Sequence, residues 1–134
     1  MVRVRNLREG EVDSLPPALL DTGMFYLVPE WVWVVEAGDT SAPFALIVTS
    51  FAHGLLVLWR ILAISPLPAA APLNWFLEAL PQVFSVARLR GCVGFFTLLA
   101  DNKPAEVKMA RIVSRMARGG ILPFQGSIAA GQLA

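Results

Sequence analysis

Few side chains in this sequence are arranged for chemistry. His53 sits in the tight Ala52-His53-Gly54 segment, where an imidazole can serve as a base or a metal ligand. It is the one histidine and Cys92 the one cysteine. Neither has the companions of a Cys/His metal site, and catalysis needs a constellation of groups, so a plain turn histidine is the simpler reading. Arg60 interrupts an apolar run. A buried guanidinium must be offset by a carboxylate or several carbonyls, so a structural pair with a residue such as Glu36 is expected ahead of ligand binding. Ser14, Ser50, Ser65, Ser85, Ser114 and Ser127 lack a nucleophile-elbow context. Lys108, Arg111, Arg115 and Arg118 make a basic stripe able to meet phosphates or an acidic partner, although amphipathicity alone predicts such a solvated face. Trp31, Trp33, Trp59 and Trp75 are not interleaved with basic residues as in a single-strand nucleic-acid platform. They are expected in the core or at contacts. These residues assign no catalytic, cofactor-binding or metal-binding role.

The elements that would have to position a site are organised around APFALIVTSFAHGLLVLWRILAIS, residues 42–65. It divides at Ala52-His53-Gly54 into two segments of strand length. Ile47, Val48, Thr49, Val57 and Ile61 are β-branched and suit a pleated surface. Pro43 opens the first segment and Pro66 closes the second, where ladder donors are least needed. Strands apolar on both faces need cover on both sides, which predicts helices above and below the sheet. The rival reading is a membrane span. Ser41 to Trp59 is uncharged and long enough to cross a bilayer, with a helical hairpin through residues 41–80.

The remaining pattern is read in chain order. Val2-Arg3-Val4-Arg5 alternates as a half-buried strand does. Glu9 to Leu20 reads as a short helix limited by Pro16 and Pro17. Trp31 to Glu36 is a strand, Leu73 to Arg90 a helix kinked or split by Pro81, and Cys92 to Leu99 another strand. A helix from Pro104 to Arg118 stops at Gly119-Gly120, with Met109, Ile112, Val113 and Met116 on its apolar stripe. Ile121 to Phe124 and Ser127 to Ala130 form a short terminal pair.

Composition narrows the function classes. The 134 residues fit one domain, 1–134, with a net charge of +1 that gives no global field toward nucleic acid. The hydrophobic fraction is 56% and the charged fraction 16%, against about 25% charged in an ordinary soluble domain. A chain this short cannot bury so much apolar surface by itself. The surplus is expected against other protein subunits, copies of itself or, less favoured, a bilayer. The charged start MVRVRNLREGEVD has no signal-peptide character, so a virion or cytoplasmic location is expected and secretion is not.

The order strand, helix, three strands, helix, strand, helix, short strands resembles the GNAT superfamily of acyl-CoA-dependent N-acyltransferases. VRVRNLREGEVDSL is similar to that family's first strand and helix, and WVWVVEAGDTSAPFALIVTSFAHGLLVLWRILAISP to its second to fourth strands. LADNKPAEVKMARIVSRMARGG is similar to its last strand-to-helix segment, where Asn102 stands before the helix. The resemblance implies an α/β (α+β) fold with a mixed, mostly antiparallel central sheet and helices on both faces.

In that family the fourth strand leads into a Q/R-x-x-G-x-G/A loop, whose bare amides at a helix start close on a pyrophosphate. The matching stretch here is SPLPAAAPLN. Pro66, Pro68 and Pro72 each lack an N–H, and no glycine or basic residue occurs from Ser65 to Ala87. Many members use a tyrosine on the last helix as general acid. Tyr26 is the one tyrosine here, far upstream, and Met109 stands at the matching position. Glu30 or Glu36 near the second strand remains as a candidate base, against the plainer reading of a solvated carboxylate. The expectation is a non-catalytic member with no bound cofactor, serving as a subunit of a larger assembly. It resembles small GNAT-like structural proteins of tailed bacteriophages. The alternatives are an active acetyltransferase that holds acetyl-CoA through an atypical loop, and the membrane hairpin.

Overall fold

The computed structural model describes residues 2–14, 28–38, 43–68, 71, 74–98, 120–122 and 128–132. Strands are β1 Val2–Asn6, β2 Val32–Ala37, β3 Pro43–Ala52, β4 Leu55–Ala63, β5 Gly94–Leu98, β6 Gly120–Leu122 and β7 Ile128–Gln132. The helices are two 3₁₀ segments, Glu9–Ser14 and Pro29–Trp31, and α1, Phe76–Leu89. The chain divides into two compact units, Met1–Ser50 with Arg60–Ala79, and Phe51–Trp59 with Leu80–Ala134. The single domain expected from length thus contains two clusters, whose boundaries fall inside β3, β4 and α1.

In the first unit the strands run in the order β1-β2-β3-β4. β1 and β2 are antiparallel with Val4 opposite Val35, and β2 and β3 antiparallel with Val34 opposite Leu46. A register shift falls at Val35/Glu36. Every residue of β2 is buried, as are Phe44 to Thr49 of β3, which is why both read as continuous apolar runs. Glu36 of β2 is one polar exception and Thr49 of β3 is the other. Its hydroxyl accepts the Trp33 indole N–H at 2.9 Å and donates to the Trp31 carbonyl. A buried hydroxyl so satisfied holds the Trp33 indole and the Trp31 backbone. Thr49→Val keeps the shape but removes the acceptor of that indole N–H bond, and is expected to cost about 1–3 kcal/mol in a denaturant titration. An unchanged midpoint would show the network to be idle.

In the second unit the order is β4-β5-β7-β6. β4 and β5 are parallel from Leu55 opposite Gly94 to Leu58 opposite Thr97. β5 with β7 and β6 with β7 are antiparallel, so the described sheet is mixed and mostly antiparallel. β3 and β4 are joined by His53 and Gly54, with φ of 53° and 79°. Positive φ at both central residues is the turn that matches strand twist, and histidine is among the few side chains that tolerate it. α1 buries Leu80, Val83, Phe84 and Ala87, one stripe at helical spacing. Its end is a Schellman motif: Cys92 N–H donates to Ala87 O and Gly91 N–H to Arg88 O, each at 3.0 Å, with Gly91 at φ 98°. Val93 N–H then donates to Gly54 O at 2.8 Å, which ties the helix exit to the hairpin turn.

Several expectations change. Residues 43–52 and 55–63 are strands, so neither the span at 41–59 nor the helical hairpin through 41–80 forms. The β-branched content and the His53-Gly54 turn outweigh apolar length there. Among the described residues no helix is long and apolar enough to cross a membrane. Glu9–Ser14 is a 3₁₀ segment where an α-helix to Leu20 is expected, and residues 15–27 lie outside the described ones. Pro81 does not split α1, which runs through it to Leu89. The proline forfeits one ladder bond in the second turn, and the buried stripe that follows carries the helix on. The helix expected at 104–118, with Asn102, Met109 and the basic stripe, lies outside the described residues, as does Tyr26.

Candidate functional site

The stretch on which function turns is the connector from the end of β4 to the start of α1. Among its described residues, the Ile64, Ser65 and Ala71 amides are bonded within the protein. Ile64 N–H donates to Phe44 O at 2.9 Å, and Ser65 N–H reaches the same carbonyl at 3.4 Å. Pro66 and Pro68 have no N–H to give. Ala71 N–H closes a turn onto Pro68 O at 3.0 Å and its side chain is buried. Trp75 then stands edge-on to Phe44 (5.3 Å) and to Phe76 (6.3 Å), so aromatic surface occupies the helix start. The acidic residue of the first turn is Glu78, whose carboxylate accepts the Val2 N–H at 3.4 Å. A carboxylate in that turn uses the positive end of the helix dipole and repels a second anion.

Glu36, a candidate base, is buried and bonded to a partner the sequence reading did not choose. Its Oε1 accepts from Arg5 Nε at 2.6 Å. In register Glu36 faces Arg3, so Arg5 reaches it diagonally across the β1–β2 pair. The same guanidinium holds Glu11 bidentately, at 2.7 and 2.9 Å. Glu11 also accepts the Arg8 amide at 2.8 Å. Three side chains thus pin the Glu9–Ser14 turn to the sheet, a structural use of charge. Glu36 takes Arg5 as a partner; the expected Arg60–Glu36 pair falls on the Arg60 side chain, which lies outside the described residues.

The Arg5 hydrogen bond, helped by the Arg8 amide and opposed by burial, holds the Glu11 carboxyl down at about 2. Arg5 is pushed the other way, first by Glu11. A carboxyl depressed in the folded state stabilises above its ordinary value of 4.5, and that contribution fades as pH falls toward 2. After solvent screening it is expected to be about 1–2 kcal/mol. Urea melts across that interval should show the loss, and Glu11→Gln should remove that part of the pH dependence. An identical acid profile in the variant would refute the assignment.

The other candidates stand apart. His53 is exposed at its turn. Glu30 is exposed in the Pro29–Trp31 turn, before β2, while Glu36 is near that strand's end. Cys92 is buried, and burial pushes its thiol up, away from the reactive thiolate. Among the described residues no group of three or more His, Cys, Asp or Glu is placed to hold a metal ion. Arg5, Glu11 and Glu78 were missed by sequence reasoning. The alternation Val2-Arg3-Val4-Arg5 was the available signal, because it puts both arginines on one face of β1.

No protein-family profile matches the chain, and no curated protein matches it. Solved structures do. A protein assigned as an acyl-CoA N-acyltransferase from Klebsiella pneumoniae is 15% identical, with 100% of this chain and 99% of that one covered at a TM-score of 0.67. The ribosomal-protein-S18-alanine N-acetyltransferase of Escherichia coli is 12% identical, covering 100% and 95%, at 0.64. A GNAT-family acetyltransferase of Listeria monocytogenes is 9% identical, covering 98% and 95%, at 0.64. The fold is GNAT-like. At these identities the likeness concerns the fold, since one fold hosts many activities.

Proposed function

We propose that this chain uses a GNAT-like fold without acyl transfer, as an interaction subunit of a larger assembly. The observation that carries the reading is the connector after β4. Its Ser65 and Ala71 amides are bonded within the protein, and three of its residues, Pro66, Pro68 and Pro72, are prolines. A coenzyme diphosphate needs several unclaimed amides and gains from nearby positive charge. Glu78 supplies the opposite charge in the first turn of α1. The burial and pairing of Glu36 support the same reading, because a base must be free to accept a proton. The narrower form is a head- or tail-associated protein of a tailed bacteriophage. It rests on the small size of the chain and the departures of its connector from the acyltransferase pattern.

The second reading is an acyl-CoA-dependent N-acetyltransferase with an atypical donor loop, and the names of the matching structures favour it. Two measurements separate the readings. The purified chain is expected to self-associate or join a partner in light scattering, and to release no coenzyme A thiol from acetyl-CoA in the presence of amine acceptors. Steady thiol release dependent on an amine would overturn the proposal.

A further inference from the structure

We propose that the chain pairs with a second copy through the connector after β4, the proline stretch of each copy lying on the aromatic pair at the α1 start of the other. The inference rests on the assembly reading and names its partner and its surface. Pro66 and Leu67 are exposed, Leu67 at 38%, and Pro68 is half-buried. Each proline fixes its own φ, and the residue before a proline is held to extended backbone. Ser65 to Pro68 is therefore stiff before any partner arrives. Both of its ends are tied down. Ile64 N–H donates to Phe44 O at 2.9 Å, and Pro68 O accepts the Ala71 N–H at 3.0 Å. A segment ordered in advance loses little entropy on binding.

Stiff, extended proline segments are read by aromatic side chains, whose surfaces take the proline rings. The same compact unit carries such side chains. Trp75 and Phe76 are half-buried and stand at 83° to each other, with centroids 6.3 Å apart. Phe44 brings the two features together. Its carbonyl anchors the start of the proline stretch, and its ring meets Trp75 edge-on at 5.3 Å. A two-fold axis between two copies sets each proline stretch against the other's rings, the self-complementary contact of a symmetric dimer. A foreign partner would satisfy the prolines or the rings, whereas a second copy satisfies both at once.

The test is sedimentation velocity of the full chain across a concentration series. A dimer is expected, and Leu67→Asp is expected to weaken it at least about tenfold, because it carries a charge into an apolar contact. The urea midpoint of that variant, read where both proteins are monomers, is expected to stay in place, since Leu67 is exposed. The geometry has its own readout. A Leu67→Cys chain mixed with an Asn74→Cys chain is expected to form the crossed disulfide in preference to either symmetric one. Asn74 is exposed beside Trp75, and the native Cys92 is buried. A chain that stays monomeric throughout would overturn the proposal, as would a dimer indifferent to Leu67→Asp or a mixture without the crossed disulfide. The assembly reading outlasts each of those results if the chain joins a different protein. Amine-dependent turnover of acetyl-CoA removes that reading and leaves the dimer standing, so the two failures are separate results.

Discussion

Replacing Arg5 with alanine is expected to cost about 3–5 kcal/mol of folding stability, the range for removing one partner of a buried pair. The side chain of Glu36 is 7% exposed, so losing its guanidinium leaves a carboxylate with little water to replace it. Glu11 loses its bidentate partner in the same step, which frees the Glu9–Ser14 turn from β1. The double variant Arg5→Met, Glu36→Leu is expected to recover most of the loss, because apolar replacement of a buried pair is often neutral. Urea titrations of the three proteins decide it. A loss below about 1 kcal/mol for Arg5→Ala would place the pair among solvent-screened contacts.

Phe44→Ala is expected to be as damaging, at about 3–5 kcal/mol, the usual cost of emptying a buried phenylalanine site. The ring is 2% exposed and meets Trp75 edge-on. Its carbonyl takes the Ile64 and Ser65 amides, so the same residue seats the connector from both sides. The variant should therefore also shift the emission of Trp75 in the folded state at low denaturant. A native spectrum together with a small stability loss would show that the connector is held elsewhere.

Much of this was legible in the residues themselves. The run at 42–65 carries its β-branched content, its opening proline and its glycine in positions that suit two strands and one tight turn, and β3 and β4 follow that plan. The terminal pair was readable too, since β6 and β7 pair antiparallel. Of the two effects expected of Pro81 the split does not occur, because the Leu80-Val83-Phe84-Ala87 stripe is what the packing rewards. Glu9 to Leu20 has the apolar spacing of a helix, but the described part is tightened into a 3₁₀ turn held by the Arg5–Glu11 bond. That bond joins residues of different elements, and periodicity within either element cannot reveal it. The connector was legible in the negative, through the missing N–H groups of Pro66 and Pro68. Its committed amides and the carboxylate of Glu78 are tertiary facts that residue types do not disclose.

The most direct measurement is a calorimetric titration of the intact chain with acetyl-CoA. Saturable heat is not expected at any accessible concentration, because the diphosphate finds prolines, bonded amides and a glutamate where it needs donors. A dissociation constant in the micromolar range, with one site per chain, would contradict the account.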